Sequence, residues 1–195
     1  HSPDTSVDKI WNTLTKKYTE PGRYYHSRQH ILDCINQFDL VADKIDNPRE
    51  VELSIWFHDI VYDSSSNDID EIESAKLFAQ LAEKAFPKET IKLVSDLIFA
   101  TMHADDPKNS DEAFLVDIDL SSFGFPWERF TQDVTHLHME SPHLTKDKLN
   151  QATLKFYRHL QQKPRIFFTD AFYERYEDIA RINIKRYINE IIKAA

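Results

Sequence analysis

The chain has 195 residues, of which 41% are hydrophobic and 29% charged, with a formal net charge of -9. This length and composition suit one globular domain with a sizeable core, and the acidic balance has the wrong sign for general nucleic-acid binding, which needs basic surface to displace counterions. Only two glycines occur, Gly22 and Gly124, which argues against a Rossmann fold, a P-loop or a turn-rich β-sandwich.

Helical periodicity runs through nearly the whole chain. "SPDTSVDKIWNTLTKKY" opens on Ser-Pro-Asp, a good helix start, and sets Val7, Ile10, Trp11 and Leu14 on one face. "EPGRYY" breaks it, and a second helix carries Ile31, Cys34, Ile35 and Phe38. Pro48 begins a third, which runs into "SIWFHDIVYD". "SSSND" is a polar loop with Asp68 as the expected cap of a long amphipathic helix bearing Ile72, Ala75, Phe78, Leu81, Ala82 and Ala85. Pro87 separates that helix from "KETIKLVSDLIFATMH". "ADDPKNSD" reads as a loop, and "EAFLVDIDL" is short and apolar enough to be either strand or buried helix. Three helices follow, around Trp127 to Met139, around Thr145 to Leu160, and from Asp170 to the end. The expected fold is a single all-α domain over residues 1–195. No apolar run is long enough to span a bilayer. The lone cysteine, Cys34, cannot form an internal disulfide, so a cytoplasmic location is expected.

The chemistry to explain is the ionisable residues inside core-like sequence. His58 and Asp59 sit together in the apolar run from Ser54 to Asp63, and a buried charge is costly unless paired or bound to a metal. On a helix, neighbours point about 100° apart, so both reach one ion only from the helix edge. His26 and His30 share a face if one helix already includes both. Asp117 and Asp119 lie in another apolar run and, two apart, face nearly opposite ways on a helix. Taken singly, a satisfied core histidine or a capping carboxylate explains each of them. The run with His136, His138, His143 and His159 has no convincing ligand spacing and reads as surface or partly buried histidine.

The order His, then His-Asp, then Asp on successive elements resembles the HD superfamily of metal-dependent phosphohydrolases, and more narrowly a branch described as predicted metal-dependent HD phosphohydrolases. "YYHSRQHI", "ELSIWFHDIVYD", "DEIESA", "LIFATMH", "LVDIDLSSFG" and "FFTDAFYERYEDIARINI" carry the likeness, which covers most of the chain. Asp70 stands where that branch has Asn. The resemblance implies an all-α HD-domain bundle with a metal at its centre, held by His30, His58, Asp59 and either Asp117 or Asp119. His26 and His103 are the next candidates, for a second metal or for a phosphate, and Glu71 would orient a water. Asp59, Glu71 and His103 would be the catalytic groups.

The implied reaction is hydrolysis of a phosphoester, a nucleotide or another small phosphate, by a metal-activated water. The nitrogen and oxygen donors suit a divalent transition metal, Mn²⁺, Fe²⁺, Co²⁺, Ni²⁺ or Zn²⁺, more than Ca²⁺. No cysteine falls in the matched segments, so a thiolate site is not indicated. Neither a membrane nor an extended nucleic acid is expected as a partner. The alternatives are a di-iron oxygenase of the same fold, which needs His26 and His103 for its second iron, and a non-catalytic metal- or nucleotide-binding module. Arg181 could meet a phosphate, but pairing with Glu177 at i−4 is the favoured role.

Overall fold

The computed structural model of the protein describes residues 6–63 and 69–194, so the Ser2-Pro3-Asp4 helix start and the Asp68 cap lie outside the described residues. The described residues form an all-α bundle: α1 Ser6–Lys17, α2 Arg28–Asp39, α3 Pro48–Phe57, α4 Asp70–Ala82, α5 Lys88–Ala100, α6 Ser110–Leu120, α7 Trp127–Met139, α8 Lys146–Gln162 and α9 Asp170–Ala194. None of these residues is in a strand. Pro48 opens α3 at a position where the missing amide hydrogen costs nothing, and among the described residues no helix is long and apolar enough to cross a membrane.

Two helix starts decide where site residues fall. Ser27 caps α2 by accepting from the Gln29 amide, which leaves His26 outside the helix. His26 and His30 therefore do not share a helical face. Asn109 caps α6 by accepting from the Glu112 amide, and Glu112 returns a carboxylate to the Lys108 amide and the Asn109 side chain. This reciprocal pattern is a capping box, and it settles the apolar run from 112 to 120 as helix rather than strand.

One cluster of buried apolar side chains runs from Leu14 in α1 to Ile184 in α9, with Ile55, Phe78, Leu97, Leu115, Ile118 and Phe167 fully enclosed. α6 lies at its centre, with 8 of its 11 residues buried, so no polar stripe marks its outer face. A 3₁₀ turn at Ser121–Gly124 packs against α9, where Asn183 donates to the carbonyls of Phe123 and Phe125 at 2.9 and 2.8 Å. The segment leading into α9 is tied down by Glu177, which accepts from the amides of Ile166 and Phe167. Arg181 pairs with Glu177 at 2.6 Å and donates to the carbonyls of Lys163 and Pro164, which is the structural role its spacing favours.

Gly124 permits the close approach to α9. A Cβ there would lie 2.5 Å from Cβ of Tyr176, an atom fixed to the helix backbone rather than at a flexible tip. Gly124→Ala should therefore lower the unfolding free energy by about 1–3 kcal/mol, read by urea denaturation followed by circular dichroism. An unchanged midpoint would mean that α9 is not held this tightly.

Candidate metal centre

Four side chains converge at the middle of the bundle. His30 projects from the first turn of α2, His58 is the C-cap residue of α3, Asp59 lies in the turn that follows, and Asp119 comes from α6. The Nε2 atoms of His30 and His58 are 3.2 Å apart. Asp59 Oδ2 lies 3.3 Å from the first and 3.0 Å from the second, and Asp119 Oδ1 lies 3.1 and 3.5 Å from them. The ligand atoms of His30, His58 and Asp119 all fall within 4.8 Å of one another.

The His-Asp dipeptide can converge because the helix stops between its members. α3 ends at Phe57, so Asp59 is freed from the 100° step that would turn it away from His58. Three contacts hold that turn. Ser74 of α4 accepts from the Val61 amide and donates to its carbonyl. Buried Arg23 donates to the carbonyls of Asp59 and Ile60 at 2.6 and 2.8 Å, and to that of His26 at 3.1 Å, tying two loops together. His58 Nδ1 lies 2.9 Å from the carbonyl of Ile55 and must donate to it, which leaves Nε2 as the lone pair aimed at the centre.

Burial disfavours the charged form of all four groups, yet their mutual attraction wins. Against that burial, His58 is held well above the usual imidazole range by Asp59 and Asp119, and His30 by Cys34 and Tyr25 and then by its bonds to Asp119 and Asp59. Asp119 is held well below the usual carboxylate range by its bonds to His103, His30 and His58, and Asp59 by His58, His26 and His30. With neutral imidazoles the cluster carries two uncompensated negative charges in a buried position. The donor set and spacing fit a divalent cation. Metal–ligand bonds of about 2.0–2.2 Å place neighbouring donors about 2.8–3.6 Å apart, and the measured separations run from 3.0 to 3.5 Å.

The remaining candidates divide clearly. Asp119 belongs to the converging group and Asp117 does not. Asp117 Oδ1 accepts from the Phe168 amide at 2.8 Å, and Oδ2 accepts from the amide and hydroxyl of Thr169, both at 2.7 Å. Burial pushes its pKa up to about 6 against the pull of those donors. The two carboxylates face opposite sides of α6, as their spacing predicts, and of the two it is Asp119 that turns to the histidines. His103, three residues past the end of α5, has a left-handed φ of 53°, a backbone region that histidine tolerates better than most residues, and its Nε2 reaches Asp119 Oδ2 at 2.9 Å. Glu71 is in the first turn of α4, where burial and the like charges of Asp59, Asp70 and Asp119 raise its carboxyl.

His26 stands apart from the four. Its Nδ1 is 2.6 Å from Glu140 Oε2, its ring stacks on Tyr62 at 4.2 Å, and Nε2 remains for the site. Glu140 itself was not legible as a site residue. Its Oε1 accepts from the amides of Tyr24, Tyr25 and His26 at 2.8, 2.8 and 2.9 Å, and the His26 contacts hold its carboxyl low against burial. One signal was present: an acidic residue at the C-cap of α7, where the helix dipole disfavours negative charge unless a partner compensates it. Tyr25 packs on His30 with ring centres 4.8 Å apart, while Tyr24 is largely exposed. Cys34, one turn beyond His30, has its sulfur 3.8 and 3.7 Å from Nδ1 and Nε2. Near-equal distances put it over the ring rather than in line with either lone pair. His143 and His159 are exposed and His136 and His138 half-buried, as their spacing suggests.

Comparison with protein-family models, with curated proteins and with solved structures finds no match to this chain.

Two measurements follow from the geometry. Asp119→Asn should lose bound metal, while Asp117→Asn should keep the stoichiometry of the wild type and lose thermal stability; mass-spectrometric metal content and a melting curve separate them. The reverse assignment would show that the ligands lie on the other face of α6. A pH dependence is also fixed in sign. Protons held on His30 and His58 above the ordinary imidazole pKa of about 6.5 compete with an ion. Apparent affinity for Mn²⁺ or Ni²⁺ should therefore rise with pH through about 6.5 and go on rising beyond it, with proton release on binding. Calorimetry in two buffers of different ionisation enthalpy reads both, and a flat profile would exclude the imidazoles as ligands.

Proposed function

We propose that the chain is a metal-dependent phosphohydrolase of the HD superfamily, acting on a small phosphorylated substrate in the cytoplasm. The observation that carries this reading is the convergence of His30, His58 and Asp119 at ligand spacing, with Asp59 Oδ2 beside both imidazoles, from the same segments whose order and flanking residues resemble that superfamily. A divalent transition metal bound there would acidify a water from a pKa near 16 to about 7 and polarise a phosphoryl oxygen.

The chain's own residues supply the rest. Asp59 turns Oδ2 to the imidazoles and keeps Oδ1 to accept a proton. Glu71, its carboxyl raised by burial and by the neighbouring carboxylates, would orient a water. His26, its Nδ1 committed to Glu140, offers Nε2 to a phosphate oxygen. His103 steadies Asp119.

One observation favours a second reading. Asp119 splits its carboxylate, with Oδ1 toward His30 and His58 and Oδ2 toward His103. With His103 and His26, Asp119 would be among the residues holding a second ion, as a di-iron oxygenase requires.

Metal content of the untagged protein, wild type against Asp59→Ala, tests both. One equivalent of metal lost in the variant, followed by metal-dependent turnover on a panel of phosphate esters, is the expected result. Two equivalents of iron with O₂ consumption and no phosphate release would decide for the oxygenase. Retained phosphatase activity in Asp59→Ala would overturn the proposal.

A further inference from the structure

Apart from the convergence point, the bundle has a second concavity with different chemistry. A cleft of about 450 Å³ opens between α1, α2 and α3, within the roughly 300–1,000 Å³ of small-molecule pockets. Its walls are Trp11, Tyr18, Ile31, Leu32, Ile35 and Trp56. Tyr18 contributes only its ring, because its hydroxyl turns away to donate to the Trp56 carbonyl at 3.0 Å. Trp11 and Trp56 meet edge to face, with centroids 6.1 Å apart and planes at 68°. Trp11 is 57% exposed and Leu32 51%, so two large apolar side chains stand in water beside an already apolar floor. Burying such surface is favourable by about 25 cal/mol per Å².

The cleft has one charged lining residue. Arg28, at the start of α2, is exposed and has no hydrogen-bond or ion-pair partner among the described residues. The chain as a whole carries 33 acidic against 24 basic side chains, so this unpaired cation at an apolar mouth runs against the general charge. Guanidinium pairs strongly with carboxylate through two parallel hydrogen bonds. We propose that the cleft binds a small amphipathic anion, an acyl-type apolar body with a single carboxylate head: the indoles, Ile31, Leu32 and Ile35 take the body and Arg28 takes the head. Such a site is independent of the phosphohydrolase reading and shares no side chain with the metal centre. It does share helices with it, since Ile31 follows His30 and Trp56 comes two residues before His58.

Two of the three tryptophans, Trp11 and Trp56, wall the cleft, so intrinsic fluorescence reports on it directly. Wild-type protein titrated with decanoate below its micellar range should show a saturable change in emission. Arg28→Gln should bind decanoate about tenfold more weakly but decanol as the wild type does, which separates the head from the body. Leu32→Asp should lose both while keeping its helical circular dichroism and its metal content. Three results would overturn the proposal: no saturable change in the wild type; equal decanoate affinity in Arg28→Gln; or sedimentation showing a dimer that Leu32→Asp dissociates and decanoate does not, which would give the face to a second copy of the chain.

Discussion

Negative charge gathered in a buried place is the constraint around which the bundle is arranged. Two imidazole nitrogens 3.2 Å apart and the carboxylates of Asp59 and Asp119 share a space from which water is largely excluded. Protons can occupy the imidazoles, and the raised imidazole and lowered carboxyl pKa values describe that arrangement. A cation at the centre would relieve the same charge with better geometry, because each donor already points inward. The tautomer of His58 is fixed by a backbone carbonyl rather than by its neighbours, so when the ring is neutral its lone pair is on the inward Nε2.

The loops that carry these groups are held by a recurring device. Buried carboxylates accept amide hydrogens from chain segments that lack helical partners. Asp111 takes the amides of Asp46 and Asn47 before α3, Asp117 those of Phe168 and Thr169, Glu140 those of Tyr24 to His26, and Glu177 those of Ile166 and Phe167. A charge-assisted bond to a backbone amide is stronger than a neutral one, and each staple satisfies groups that would otherwise be buried without partners. The side-chain staples fix the loops over longer distances than their own turn hydrogen bonds reach.

Much of this could be read from sequence, and the failures have physical causes. The His58-Asp59 pair stood out because its neighbours are apolar and the cost of burial demands an explanation. Eight of the nine helices among the described residues follow from periodicity, α6 being the run left open between strand and helix. Asp117 and Asp119 could not be separated because α6 is enclosed on nearly every side, so burial was equally implied for both, and only their partners distinguish them. His26 depended on where α2 begins, which one hydroxyl, that of Ser27, decides. The helical state of α6 was legible in principle, since Asn109 and Glu112 have capping-box spacing, but the preceding polar run drew the boundary too late. Glu140 was hidden by distance along the chain, since local pattern carries no information about a partner 114 residues away.

That separation bears on how the molecule comes together. The Glu140 staple closes a loop of more than half the chain, and the Asp117 and Asp111 staples span 51 and 65 residues. Loop closure costs entropy before a distant contact returns anything, and chains rich in such contacts fold slowly. His30, His58, Asp59 and Asp119 are all present once residue 119 has been made, yet α7 and α9 must dock before His26 is oriented and Asp117 finds its partners. The surroundings of the centre therefore rest on contacts supplied late in the chain. A nascent or truncated chain ending before α7 would hold the four converging residues in its sequence without the scaffold that fixes their surroundings.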